Sequence, residues 1–308
     1  MINKSEIKIS STNGKNQLHT IIWKPENEVR GILQISHGMV EYVNRYDRFA
    51  TFLAERGFLV VGNDHLGHGN TVREEQELGY FGENGSQTVV NDLYEVTKYM
   101  KKQYPNIPYY VLGHSMGSFI IRRYIMTYGS SVDGTIIMGT GSQPDVVLKV
   151  GKMVVKLLSK IKGAKYRSQF VDKMAFGTYN KKFAPVRTNK DWLTKDTDVV
   201  DDYIQHPFCS FLFTLNGFYT LFDTISFIQI KENISRIPKE MPIFMIAGDM
   251  DPVGNYGKAV KQVYRDYQQE GINNIRMKLY SNDRHEILNE LDYQVVQQDI
   301  YDWLLQQL

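Results

Sequence analysis

The chain has 308 residues, of which 42% are hydrophobic and 23% charged, a composition that fits a globular protein with one large domain or a core domain carrying an insertion. A net charge of +2 gives no pull toward nucleic acid. The single cysteine, Cys209, excludes an intramolecular disulfide; no stretch has membrane-spanning length, the first residues lack a signal-peptide core, and the expected location is the cytoplasm.

In chain order, residues 6–10 and 17–23 read as two strands joined by a turn at Asn13-Gly14. Residues 31–35 form a short continuous apolar strand ending at Ser36-His37-Gly38-Met39. Tyr46, Phe49, Phe52 and Leu53 recur at helical spacing, and Gly57 closes that helix. The strand 58–62 runs into the polar loop Asp64-His65-Leu66-Gly67-His68-Gly69-Asn70. Val89, Leu93, Val96 and Met100 mark a helix that stops before Pro105. The strand 109–112, the pentapeptide Gly113-His114-Ser115-Met116-Gly117 and a helix over 118–128 follow, then a strand at 134–138. This alternation predicts a mostly parallel sheet with helices on both faces.

After Gly141 the rhythm breaks. Residues 142–236 read as a helical, aromatic-rich insertion, and alternation resumes with a strand at 242–247, a helix through Tyr256, Val260, Val263 and Tyr267, a strand at 275–280 and a terminal helix. The expected organisation is a core in two parts, 1–141 and 237–308, with 142–236 as a lid over the C-terminal edge of the sheet, where ligands bind in open α/β sheets.

Strand, Gly-x-Ser-x-Gly, helix is the context of a nucleophile elbow, with Ser115 as the nucleophile. The alternative is an ordinary strand-to-helix turn with a serine N-cap. A serine hydroxyl needs a histidine base, and the histidine needs a carboxylate, each on a loop after a later core strand. His285 is the last histidine and follows the strand 275–280. Asp249 and Asp251 both follow the strand 242–247; Asp251 is preferred as the orienter, with Asp249 as a turn residue. The oxyanion hole takes the backbone N–H groups of Met116 and Met39. His37 is expected to shape its loop. His65 and His68 invite a metal reading, but no ligand cluster beyond Asp64 accompanies them, so neither a metal nor a cofactor is implied. There is no nucleotide-binding glycine motif.

Between Val146 and Val171 seven basic residues and no acidic one accompany an apolar stripe of Val146, Val150, Met153, Val154, Leu157 and Ile161. Such a helix can rest transiently on an anionic membrane surface or receive a lipid. Packing of the stripe on the core, with solvated lysines, is the preferred expectation.

Taken together, the blocks resemble an α/β-hydrolase of the monoacylglycerol lipase and lysophospholipase type, a group that also holds serine aminopeptidases. The carriers are His37-Gly38-Met39-Val40-Glu41-Tyr42-Val43-Asn44-Arg45-Tyr46, similar to a His-Gly-x-x-Glu-x-x-x-Arg-Tyr block, Asp64-His65-Leu66-Gly67-His68-Gly69, the elbow, and Gly248-Asp249-Met250-Asp251. The resemblance implies Ser115, Asp251 and His285 as a catalytic triad, and a small-molecule or lipid-like carboxylic ester, a monoacylglycerol or lysophospholipid, as substrate. A proline-releasing aminopeptidase would use the acidic residues Asp196, Asp198, Asp201 and Asp202 to hold a free amine; a binding protein without turnover is the other rival. Nothing in the sequence sets an oligomeric state.

Overall fold

The computed structural model describes residues 2–308. Eight strands form one sheet: β1 (Ile2–Ser10), β2 (Gln17–Pro25), β3 (Gly31–Ser36), β4 (Phe58–Asn63), β5 (Tyr109–His114), β6 (Gly134–Met138), β7 (Ile243–Gly248) and β8 (Ile275–Tyr280), in the spatial order β1-β2-β4-β3-β5-β6-β7-β8. The six strands from β4 to β8 in that order run parallel; β2 pairs antiparallel with both β1 and β4. The first hairpin is longer at both ends than the sequence suggests. Its loop spans six residues, with Gly14 at φ +69° and the Asn13 side chain accepting from the Lys15 and Asn16 amides.

The continuous apolar runs in the parallel strands follow from burial on both faces. Successive side chains of a strand point to opposite sides, so each strand feeds two cores. Ile32 of β3 and Val111 of β5 pack on the face covered by α2 (Gly85–Gln103), α3 (Met116–Tyr128) and α9 (Lys258–Gln269). Leu33, Ile35, Tyr110 and Leu112 pack on the other face, under α1 (Asp47–Ala54) and α10 (Tyr293–Leu305). Gln34 is a buried polar exception with its amide satisfied: it donates to Leu93 O and accepts from Thr97 Oγ1 and Tyr109 OH. The α1 stop is as expected, with Gly57 left-handed at φ +90°.

Between β6 and β7 lie helices only: α4 (Asp145–Lys162), α5 (Gln169–Phe176), α6 (Thr197–Gln205), α7 (Leu215–Ile228) and the single turn α8 (Lys231–Ile234). One expectation is overturned here. Most of the apolar stripe of α4 does not pack on the core: Val146, Val150, Met153, Leu157 and Ile161 are 46–68% exposed, while Val154 is half-buried. The buried face is Leu148, Gly151 and Val155 instead. Gly151 suits this rotation: an added Cβ would lie 3.1 Å from the Phe222 ring of α7, a close approach that favours a small residue on the inward face.

Candidate active site

The strands β3, β5, β7 and β8 end along one edge of the sheet, and the loops that follow them carry Met39, Ser115, Asp251 and His285. The chain reverses its direction of travel across the sheet at β3, so the crevice between the β3 and β5 loops is the topological switch point of this sheet.

Ser115 sits between β5 and α3 at φ +54°, ψ −120°, a conformation that costs a residue with a Cβ roughly 1–3 kcal/mol. Its side chain makes no capping hydrogen bond to α3, which removes the N-cap alternative. The glycines on either side have separate jobs. A Cβ on Gly113 would strike the Gly117 carbonyl, and a Cβ on Gly117 would strike the carbonyl oxygen of Ser36 in β3. Gly117→Ala should therefore force strand and helix apart and destabilise the chain by at least about 1–3 kcal/mol, read as a lowered denaturant midpoint. An unchanged midpoint would contradict this account of the elbow.

The β7 and β8 loops are tied to each other. Met250 N donates to Asp283 O (2.9 Å), and Asn282 N donates to Asp249 Oδ1 (2.8 Å). Asp249 is thus a turn residue. Asp251 is fully buried; its Oδ1 accepts from Val253 N at 2.8 Å, and its Oδ2 lies 2.9 Å from His285 Nδ1. That separation is a hydrogen-bond distance, although the N–H is not aligned along it, and among the described residues neither atom has another hydrogen-bond partner. Asp283, close along the chain to His285, points elsewhere and pairs with Lys195.

Ser115, Met39, Met116 and His285 line one cavity of about 980 Å³; Asp251 stands behind His285, outside it. Among the described residues no group accepts from the N–H of Met39 or of Met116. Much of the remaining wall is apolar and comes from the helical insertion, including Val146, Val150, Phe176, Leu221, Phe222 and Ile225. Asp172 and Lys190 also line it; among the described residues neither side chain makes a hydrogen bond, and Lys190 Nζ lies 5.6 Å from the centroid of the Tyr203 ring. Burial raises the Asp172 carboxyl and lowers the Lys190 ammonium from their ordinary values, and the opposite charge of each partner opposes the shift.

Beneath the elbow lies a charged cluster to which the sequence assigned no role. Glu41 accepts from Gly38 N, from Tyr46 OH (2.9 Å) and from Arg45 Nη1 (2.8 Å), and its Oε1 lies 3.2 Å from His114 Nδ1. Arg45 also forks onto both oxygens of Glu286, each at 2.8 Å. Burial would raise the Glu41 carboxyl, but the His114 hydrogen bond and the Arg45 charge outweigh it and hold it well below the ordinary range. The His114 ring is raised in turn: burial opposes protonation, and Glu41 overcomes it. The i, i+4 spacing of Glu41 and Arg45 was the available signal; Glu286, 241 residues from Arg45, had none.

His37, His65 and His68 shape loops. His37 Nδ1 bonds Gly38 O and its Nε2 accepts from His65 N; His68 uses Leu66 O and Val40 N. Burial lowers all three from the usual imidazole value, His68 to about 3. Among the described residues no cluster has metal-site geometry. Asp64 holds the same region, accepting from Val43 N and Asn70 N. Of the acidic residues in and before α6, Asp196 caps that helix and Asp201 pairs with Arg187 on the surface; neither they nor Asp198 and Asp202 line the cavity.

The serine aminopeptidase S33 family (Hydrolase_4) matches residues 27–292. The chain belongs to that family. This family member is a serine hydrolase of the monoacylglycerol lipase and esterase type, on an α/β-hydrolase fold. It is 24% identical over 294 residues to a monoacylglycerol lipase of Mycolicibacterium smegmatis, an alignment covering 93% of this chain and 92% of the relative. It is 37% identical over 98 residues to the monoglyceride lipase of Rattus norvegicus, covering 32% and 31% of the two chains. Among solved structures it is similar to a thermostable carboxyl esterase from Bacillus coagulans in complex with glycerol, at 32% identity and a TM-score of 0.91, covering 99% of this chain and 98% of that one.

Proposed function

We propose that this hydrolase cleaves the ester of a single-chain lipid, a monoacylglycerol or a lysophospholipid, through an acyl-enzyme on Ser115. The observation that carries the reading is the buried Asp251–His285 pair at 2.9 Å, with His285 and the strained Ser115 lining one cavity. Ser115 Oγ attacks the ester carbonyl as His285 takes its proton, and the tetrahedral oxyanion rests on the N–H groups of Met39 and Met116. The C–O bond to the alcohol breaks as His285 returns the proton to the leaving oxygen. Water, deprotonated by His285, then releases the fatty acid. Asp251 holds the tautomer and stabilises the imidazolium. Residues 142–236 act as a lid whose apolar wall receives the acyl chain, and Asp172 and Lys190 offer hydrogen bonds to a polar head group. No step calls for a metal or a cofactor.

A panel of monoacylglycerols, lysophospholipids, short esters and aminoacyl amides tests the reading. Lipid esters should exceed the amides in kcat/KM by at least about tenfold. Faster turnover of proline amides would transfer the assignment to an aminopeptidase. A fluorophosphonate probe should label Ser115; a folded chain that resists it would support binding without turnover.

The outward stripe of α4 serves, in this reading, as the contact with a lipid surface. Its lysines, among them Lys149, Lys156 and Lys160, favour an anionic one. Among the described residues no helix is long and apolar enough to cross a membrane. The variant Met153→Ser/Leu157→Ser/Ile161→Ser should lose about tenfold in hydrolysis of monoacylglycerol presented in anionic vesicles, since each fully buried side chain of this size is worth roughly 1.5–3 kcal/mol. Its rate on soluble p-nitrophenyl butyrate should stay as in the parent. Equal loss on both substrates would remove the surface role.

A further inference from the structure

We propose that residues 191–195, part of the helical insertion, are the housing of the catalytic base, with Lys195 as a positioning residue for His285. The inference rests on His285 being the base, as argued above, and adds a second role to a segment otherwise read as a substrate cover.

The loop that carries His285 is held from two sides. The core side supplies the β7-loop bonds to Asp283 O and Asn282 N already described. The insertion supplies more. Lys195 Nζ donates to Asp283 Oδ1 at 2.8 Å and lies 3.7 Å from Glu290 Oε2. Lys195 N donates to Glu290 Oε2 at 3.1 Å, while Glu290 Oε1 accepts from Arg284 N at 2.7 Å. Glu286 N donates to Leu193 O at 2.7 Å. Arg284 reaches back to the carbonyls of Asp191 and Thr194, and Thr194 Oγ1 donates to Asn289 O at 2.9 Å. Residues on either side of His285 are thus hydrogen-bonded to the insertion. The ring itself is covered by Trp192, with centroids 5.1 Å apart.

The electrostatics make Lys195 the central member. The side chains of Asp283 and Glu290 are both fully buried, and burial raises both carboxyls. Among the described residues Lys195 is the one cation within ion-pair distance of either. Among the described residues no donor reaches Asp283 Oδ2, and the neighbouring carboxylate of Asp292 adds a further negative charge that raises the Asp283 carboxyl. Removing the ammonium leaves the buried Asp283 carboxylate without its donor and Glu290 with backbone N–H groups alone, which favours movement of the loop that bears them. Displacing a catalytic group by about 1 Å can cost about 100-fold in rate without weakening substrate binding. A purely structural role would lower the melting temperature and leave the turnover of the folded protein as it was.

The test uses the full chain, p-nitrophenyl butyrate and a fluorophosphonate probe. Lys195→Met should lower kcat by about 100-fold with KM within about twofold of the parent, and the labelling rate of Ser115 should fall in step. Lys195→Arg, which keeps the charge, should recover most of both. A parent-like kcat for Lys195→Met overturns the proposal, as does a change confined to KM or equal damage from Lys195→Arg. Should Lys195→Met not fold, Thr194→Val carries the test, since it removes the bond to Asn289 O, along with the one its Oγ1 accepts from Asp196 N, and lies outside the cavity. A fall in kcat at constant KM supports the housing, and a parent-like kcat overturns it. His285→Ala is run in parallel: if it remains active, the triad reading itself has failed, whereas an inactive His285→Ala beside a fully active Lys195→Met dismisses the housing alone.

Discussion

Ser115→Ala should leave a folded chain that hydrolyses no ester. On the proposed mechanism, loss of the Ser115 hydroxyl removes the acyl-enzyme route, and in serine hydrolases of comparable design the fall in kcat is about 10⁶-fold. Stability should change by no more than about 1–2 kcal/mol. Two features of the elbow set that figure. The Ser115 hydroxyl makes no cap to α3, so its deletion strands no partner there. The strain at φ +54° comes from the Cβ, which alanine keeps, so the substitution does not relax the turn. The check is ester hydrolysis with intact-mass measurement after fluorophosphonate treatment, alongside a melting curve. Residual turnover above one part in about 10³ by well-folded Ser115→Ala would place the nucleophile elsewhere.

Asp251→Asn should lower kcat by about 10⁴-fold, while Asp249→Asn stays within a few-fold of the parent. An amide at position 251 no longer stabilises the imidazolium, and its NH₂ group cannot accept the Nδ1 proton of His285. The imidazole then favours the wrong tautomer. The site offers no substitute, because among the described residues His285 Nδ1 and Asp251 Oδ2 have no other hydrogen-bond partner. Asp249 lies two residues away and acts differently, accepting the Asn282 amide at 2.8 Å and so aligning the two loops. Asparagine keeps a carbonyl oxygen for that bond. Steady-state rates of the two variants on one soluble ester decide the matter, and an Asp249→Asn loss as large as that of Asp251→Asn would contradict the assignment.

The parts of the site that were legible in the sequence are those with local signals. The elbow is written in five consecutive residues with steric demands on two of them, and the β7 and β8 loops follow strands with clear patterns. The buried cluster beneath the elbow was only half visible. Glu41 and Arg45 stand four residues apart, but their purpose depends on His114 and Glu286, which the fold brings to them from 73 and 241 residues away. The orientation of α4 was misread for a related reason. Periodicity locates an apolar stripe but not what it faces, and here the inward face carries Gly151, close against Phe222. The segment 191–195 has no periodicity of its own, since its structure is determined by the loop it grips.

The order of the strands has a further consequence, for self-association. A sheet whose outermost members are β1 and β8 presents two rows of backbone donors and acceptors to foreign strands. Both rows are guarded by charge: Lys4, Glu6 and Lys8 along β1, and Arg276 and Lys278 along β8. An incoming strand would have to desolvate these groups before its ladder could form, so the chain resists edge-to-edge polymerisation even though α4 turns a greasy face to its surroundings. The sticky surface and the templating surfaces are kept on different parts of the molecule.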